Sequence, residues 1–382
     1  MKNEILLDLI KNLEQRVLSR HPLIQVVQGP RQVGKTTALL QFCDLIQDRI
    51  PVHYTSGDGV SSPMWIHEQW QLAQIQKKIL IIDEIQKIPQ WSESLKKLWD
   101  ESKKTKKFVK CIISGSSSLS LQKGLTETMT GRFEVIPVFH WGYLRTQKLK
   151  KMSLDDYLIY GGYPGSYSFI KDKNRWKQYL TSSIIETIIG KDILTQATVK
   201  NPGLFRQAFY LISSLPAQVV SYNKLLGQLQ DRGNIDLVKY YIELYESAFL
   251  LKSIYKYGHN EFKKKSSSPK LILMAPALST FHRLENLRDE DHGRIFESLV
   301  GVELIRNQMN PSYWCEGDYE VDYILNYKKE LFAVEVKSKR QRKASSLEMF
   351  MKKFPKAKPV FITKENFSLF SKNVTAFFDT LI

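Results

Sequence analysis

The sequence predicts an α/β protein, with a parallel sheet covered on both faces in its first third and further α/β structure towards its C-terminal end. Three stretches carry that expectation. "LIQVVQGPRQVGKTTALLQF" (23–42) runs from a short apolar strand through a glycine-bearing loop into a helix-forming segment. "KKILIIDEIQKIP" (77–89) is an apolar run ending in two acids. "EVDYILNYKKELFAVEVKSKR" (320–340) is two apolar runs about a charged turn. An unbroken apolar run suits a central parallel strand, because both of its faces are covered.

In the first stretch Gly29-Pro30-Arg31-Gln32-Val33-Gly34-Lys35-Thr36, followed by Thr37, fits the pattern G-x-x-x-x-G-K-[ST] in full. Gly29 and Gly34 let backbone N–H groups wrap a phosphate, and the helix N-terminus that follows adds its partial positive charge. In that chemistry Lys35 reaches the β- and γ-phosphates of ATP and the Thr36 hydroxyl ligates Mg²⁺. The second stretch sets Asp83 and Glu84 at the C-terminal end of a strand, the edge at which α/β sheets bind ligands. Asp83 is expected to hold Mg²⁺ through water, and Glu84 to polarise the attacking water. A third element, "FVKCIISGSSSLS" (108–120), is an apolar strand ending in small hydroxylated residues. Ser116 is the expected γ-phosphate sensor there, with Ser114 and Ser117 as alternatives. Arg132, directly before the next strand, reads either as an arginine finger or as a cation on a helix-end carbonyl cluster.

"GPRQVGKTT", "LIIDEIQKIPQW", "ISGSSS", "TGRFEVIPV" and "YGGYPGSY", in this order, resemble one bacterial and archaeal family of AAA+ ATPases. Its C-terminal region is related to the PD-(D/E)XK nucleases. The resemblance implies a P-loop AAA+ core at 1–140 and a helical lid at 141–205. It further implies a winged-helix-like segment at 206–262 and a restriction-endonuclease-like α/β domain at 263–382. An arginine finger at Arg132 would imply a homo-oligomer.

The residues themselves give a looser reading of the middle. Residues 141–200 read as short helices with polar breaks, closing early on a Gly-Gly-Tyr-Pro-Gly turn. "SYNKLLGQLQ" (221–230) sets Leu225, Leu226 and Leu229 on one side of a short helix. After a break, Leu237, Tyr240, Tyr241, Leu244 and Ala248 repeat at helical spacing. Helix, tight turn, helix and a basic strand pair outline a winged helix-turn-helix, which either reads DNA or serves as an interdomain spacer. Glu243 and Glu246 on the second helix would repel phosphates.

The hairpin at 320–340 poses a chemical question, because it carries charges where alternation leads one to expect a quiet strand. A turn centred between Lys328 and Lys329 sets Asp322 opposite Glu335 and Glu320 opposite Lys337, with Cβ atoms roughly 5 Å apart. Two facing carboxylates repel unless a cation lies between them. That register gathers Asp322, Glu335 and Lys337 around one point and matches a D…E-x-K pattern, with Val321 where a proline is usual. In the resembled nucleases two carboxylates bind Mg²⁺ and the lysine stabilises the pentavalent phosphate. A further acid from a preceding helix would be Glu297, or alternatively Glu303. The competing reading is an exposed strand with solvated charges, or a nuclease-like domain without activity.

Composition bounds the function. The 382 residues are 43% hydrophobic and 12% aromatic, which excludes a disordered chain. Cys43, Cys111 and Cys315 are widely separated and match no disulfide framework or zinc-ligand spacing. The amphipathic, acid-bearing N-terminus reads as neither signal nor transit peptide, and no apolar run approaches a membrane span. A cytoplasmic protein without a membrane partner is expected. The net charge of +17, from 56 Lys+Arg against 39 Asp+Glu, is clustered at 96–110, 148–151, 263–265 and 337–343. Such a field attracts nucleic acid, DNA foremost, or alternatively keeps a lysine-rich surface soluble. Two function classes follow: an ATPase driving a DNA-binding or DNA-cutting domain, and a nucleotide-dependent switch or scaffold whose nuclease-like end is inactive. A small-molecule kinase would leave the basic C-terminal half unexplained.

Overall fold

The computed structural model describes residues 7–19, 22–116, 119–229, 234–258, 267–337 and 345–382. Ser117 and the lysine cluster 263–265 lie outside the described residues, as does all but Lys337 of the basic run 337–343. The chain packs as two units: Met1–Phe139 with Glu186–Thr198, and His140–Ile185 with Val199–Ile382. Residues 141–205, expected as one lid, are therefore shared between the two. Among the described residues no helix is long and apolar enough to cross a membrane.

The first unit is built on five parallel strands: β1 (Ile24–Gly29), β2 (Val52–Ser56), β3 (Ile79–Asp83), β4 (Cys111–Ser116) and β5 (Phe133–Pro137). They lie in the order β2-β3-β4-β1-β5. Every residue of β1, β3 and β4 is buried, as unbroken apolar runs require of interior strands. α1 (Leu7–Leu18) and α2 (Lys35–Ile46) precede and follow β1, and α3 (Met64–Ile75) and α4 (Trp91–Thr105) flank β3 in sequence. α4 turns Trp91, Leu95, Leu98, Trp99 and Ser102 inwards at helical spacing. Trp91, Leu95, Leu98 and Trp99 join Ile82, Ile113 and Trp70 in one apolar cluster.

The second unit holds two sheets. Helix Pro202–Ser213, β6 (Gln218–Val219), helices Tyr222–Gln228 and Ile235–Ser247, β7 (Leu251–Ile254) and β8 (Lys270–Leu273) follow in sequence. The three strands pair antiparallel in the order β6-β8-β7. Helix Ile235–Ser247 buries Val238, Tyr241, Ile242, Leu244 and Tyr245, so its inner face is rotated from the one expected, and Leu237 and Tyr240 lie at its margin. Tyr245 explains the rotation: it is fully buried against Phe205 and Phe209, and its hydroxyl donates to the Phe205 carbonyl.

The long helix Asp289–Arg306 precedes β9 (Ser312–Glu316), β10 (Tyr319–Tyr327), β11 (Glu330–Lys337) and β12 (Ala357–Thr363). These four form a sheet in the order β12-β11-β10-β9, antiparallel except for the β11–β12 pair. Tyr327 faces Glu330 and Tyr323 faces Val334 across the hairpin. Lys328 and Lys329 both have positive φ, at 48° and 69°, the turn that matches strand twist in a two-residue hairpin loop.

Candidate functional site

The glycine-bearing loop joins β1 to α2 at the C-terminal edge of the parallel sheet. Gln32 and Gly34 take positive φ, 56° and 92°, and Gly34 caps α2. Gly29 has no room for a side chain: a Cβ there would lie 2.3 Å from the Val138 carbonyl oxygen. The Lys35 ammonium, 7% exposed, donates to the loop's own carbonyls, Gly29 O at 3.0 Å and Pro30 O at 2.7 Å. Burial lowers its pKa to about 8, against the pull of Glu84 and Asp83.

Asp83 ends β3 beside that loop. Thr36 Oγ1 donates to its Oδ2 at 2.6 Å, Tyr54 Oη donates to the same oxygen at 2.9 Å, and Ser114 Oγ donates to Oδ1. The two groups expected to serve Mg²⁺ thus touch, and three hydroxyls hold Asp83 in place. Glu84, next along, stands at φ 54°, a left-handed conformation uncommon for such a residue. Gln86 Nε2 donates to Glu84 Oε2 at 2.9 Å and to Ser116 Oγ at 3.2 Å, tying the expected base to the expected sensor. The Lys87 ammonium lies 3.4 Å from Glu84 Oε2. Gly29 and Ser116 are register partners across β1 and β4. Lys35, Thr36, Asp83, Glu84 and Ser116 therefore meet at one edge. A buried ammonium, a hydroxyl–carboxylate pair and the head of a twelve-residue helix form a donor set that suits a triphosphate and its Mg²⁺.

Two features of this edge were not foreseen. Gln86 and Tyr54 had no motif to announce them, although Gln86 stands two residues after Glu84. Arg31 forms a bidentate pair with Asp192, Nε to Oδ2 and an Nη to Oδ1, both at 2.6 Å. Asp192 is 3% exposed and comes from Glu186–Thr198, the stretch that packs with this unit. Arg31→Met leaves that buried carboxylate without its partner. It is expected to cost about 3 kcal/mol in urea unfolding of the first unit; an unchanged midpoint would contradict the pairing.

Arg132 is not brought to this edge. Its guanidinium grips Asp100 of α4, Nε to Oδ1 at 2.9 Å and Nη2 to Oδ2 at 3.0 Å, and lies over the Trp99 ring. Its carbonyl accepts from Ile24 N, so it stands where β1 begins. The phosphate loop follows the far end of that six-residue strand, roughly 20 Å away. Within this chain the guanidinium anchors α4.

In the second unit Glu297 and Asp322, both expected there, converge with Glu320. Glu297 of helix Asp289–Arg306 and Glu320 and Asp322 of β10 offer oxygens within 4.8 Å of one another. At their centre stands Lys270 of β8, fully buried. Its Nζ is 2.5 Å from Glu297 Oε1, 3.0 Å from Glu320 Oε1 and 3.7 Å from Asp322 Oδ1. Glu303 pairs with Arg306 instead, which decides between the two helix acids. A β-bulge between Val321 and Ile324 re-aims Asp322, whose Oδ2 accepts from Val336 N at 2.7 Å. Glu335 neighbours Asp322 but lies outside the close set; burial first, then Asp322, raises its pKa. Lys337 lies over the Phe361 ring at 4.8 Å, and on the β9 side of β10 Glu320 pairs with Cys315. The close set is thus Glu297, Glu320 and Asp322 around Lys270, with Glu335 beside Asp322 and within the influence of Lys337. An ammonium stands among three carboxylates whose oxygens lie close enough together to hold a metal ion.

Residues 21–143 match the family described as AAA domain. Residues 151–290 match a Domain of unknown function (DUF8612), and residues 292–377 another, DUF4143. An uncharacterized protein of Haemophilus influenzae is 22% identical over 339 residues, covering 82% of each chain. Among solved structures, AMPPCP-bound DnaA from Aquifex aeolicus is 15% identical with a TM-score of 0.33, over 64% of this chain and 89% of its own. A RuvB variant of Thermotoga maritima is 16% identical with a TM-score of 0.33, over 70% and 94%. ORC1 of Aeropyrum pernix in complex with DNA is 10% identical with a TM-score of 0.30, over 80% and 93%. Similarities this weak carry no argument; the first unit is an α/β fold whose parallel central sheet is typical of a P-loop AAA+ core, and residues 21–143 match the AAA domain.

Proposed function

We propose that the chain binds and hydrolyses ATP with Mg²⁺ at the loop Gly29–Thr37 and uses that cycle to control a DNA-binding C-terminal half. The observation that carries it is the convergence of Lys35, Thr36, Asp83 and Glu84 at one sheet edge. Lys35 and the loop amides would bind the phosphates, Thr36 and Asp83 would hold Mg²⁺, and Glu84 would orient the attacking water. Mg²⁺, when bound, supplies charge neutralisation on the phosphates. The net charge of +17 supports a polyanionic partner. So does the order helix, strand, two helices and two strands from Pro202 to Leu273, which is that of a winged helix. Glu246, once a feature against DNA, is taken up by Lys252 and the Ser253 amide.

ATP turnover of the full chain, measured with and without duplex and single-stranded DNA, tests the coupling. Turnover is expected to rise with DNA and the rise to fade as salt increases, since phosphate contacts release counterions. Turnover indifferent to DNA at low salt would refute it.

A second reading concerns the C-terminal domain, and Lys270 favours it. In this reading the domain is nuclease-like in descent but does not cut, serving DNA or protein contact instead. The alternative, Mg²⁺-dependent cleavage through Asp322 and Glu335, would show as plasmid nicking that Asp322→Asn abolishes.

A further inference from the structure

We infer that the Lys270 ammonium is the resident cation of the Glu297–Glu320–Asp322 cluster, standing in place of a divalent metal and keeping one out. The inference rests on the reading of this domain as nuclease-like but not cutting. Three carboxylates within 4.8 Å repel one another and need a counter-charge; in this fold the chain supplies it from another strand. Lys270 opens the central strand of the three-stranded sheet, paired to Val219 on one side and Ile254 on the other. Its side chain leaves that sheet and reaches acids on the long helix and on β10, so one cation joins three elements. It is 0% exposed, its Nζ also donates to the Asp322 carbonyl at 3.3 Å, and it lies 5.2 Å from the centre of the Tyr323 ring.

The ring and the carboxylates compensate the ammonium for lost water. The acids hold Lys270 protonated against its burial. Burial, then Asp322, raises Glu297, although its close approach to Lys270 pulls the other way. A divalent ion could enter only by displacing a fully buried ammonium from its three carboxylates. A lysine head group therefore closes the site as well as filling it.

The experiment is Mn²⁺ binding to the full chain without nucleotide, followed by electron paramagnetic resonance and by thermal unfolding. Wild type is expected to show no Mn²⁺ site that depends on Asp322, and no gain in unfolding temperature attributable to it. Lys270→Ala leaves buried acids unpaired and is expected to lower the second unit's midpoint by about 10 °C. About 1 mM Mn²⁺ should restore most of that loss through linkage. The restored stability should vanish in Lys270→Ala with Asp322→Asn.

Mn²⁺ bound by wild type and lost in Asp322→Asn would overturn the inference. So would a Lys270→Ala protein that folds and gains no site. If Lys270→Ala does not fold, comparing wild type with Asp322→Asn still decides the matter. Plasmid nicking that survives Asp322→Asn, by a protein with no Asp322-dependent Mn²⁺ site, would sink the non-cutting reading but leave the resident cation standing; nicking lost in Asp322→Asn would overturn both.

Discussion

Glu84→Gln is expected to lower steady-state ATP turnover by about a hundredfold to ten-thousandfold while ATP stays bound. The amide keeps the shape of the carboxylate and can still accept from Gln86 Nε2, so the left-handed turn at Glu84 and the link to Ser116 should survive. What is lost is the anionic oxygen that orients and polarises water. Filter binding should therefore show ATP retained, and single-turnover mixing should show phosphate release, not nucleotide capture, slowed. Wild-type turnover in this variant would remove Glu84 from the mechanism.

Lys35→Ala is expected to abolish measurable ATP turnover, a loss of at least about a hundredfold, without destabilising the first unit. The two readouts part company for a physical reason. Lys35 is buried, and burial lowers its pKa from 10.5 to about 8. A base depressed in the fold costs stability wherever it is charged, below about pH 8, and that cost fades as pH climbs towards the unfolded value. Removing the ammonium therefore relieves the fold below that pH while deleting the charge that meets the phosphates. Calorimetric unfolding at neutral pH should show an equal or higher midpoint beside lost turnover. A large fall in stability would mean that Lys35 serves chiefly to brace the loop carbonyls.

Much of the first unit could be read in advance because its signals are local. The apolar run at 79–82 requires a doubly covered strand, the glycine spacing requires the loop, and the acids after the run fix the sheet edge. The hairpin turn was legible too, since its register follows from loop length. In the acidic cluster Asp322 and Glu297 were legible but Lys270 was not, because it sits in "SPKLILMAP", where a lysine reads as the polar start of a strand. Nothing local says that its stem will be swallowed and its ammonium delivered to acids on a later helix and strand. The bulge beside Asp322 likewise depends on pairing with β9. The Arg132–Asp100 pair was hidden for a related reason: an arginine beside a strand reads the same in sequence whatever it meets. Asp192 belongs to a stretch whose packing with the phosphate loop is a tertiary fact.

The most direct test of the account is equilibrium binding of ATP to Glu84→Gln protein, titrated with and without Mg²⁺ and repeated with Lys35→Ala added. The account predicts one saturable site per chain, tightened by Mg²⁺ and lost with Lys35. Absence of binding in the first protein, or binding undisturbed by loss of the lysine, would contradict it.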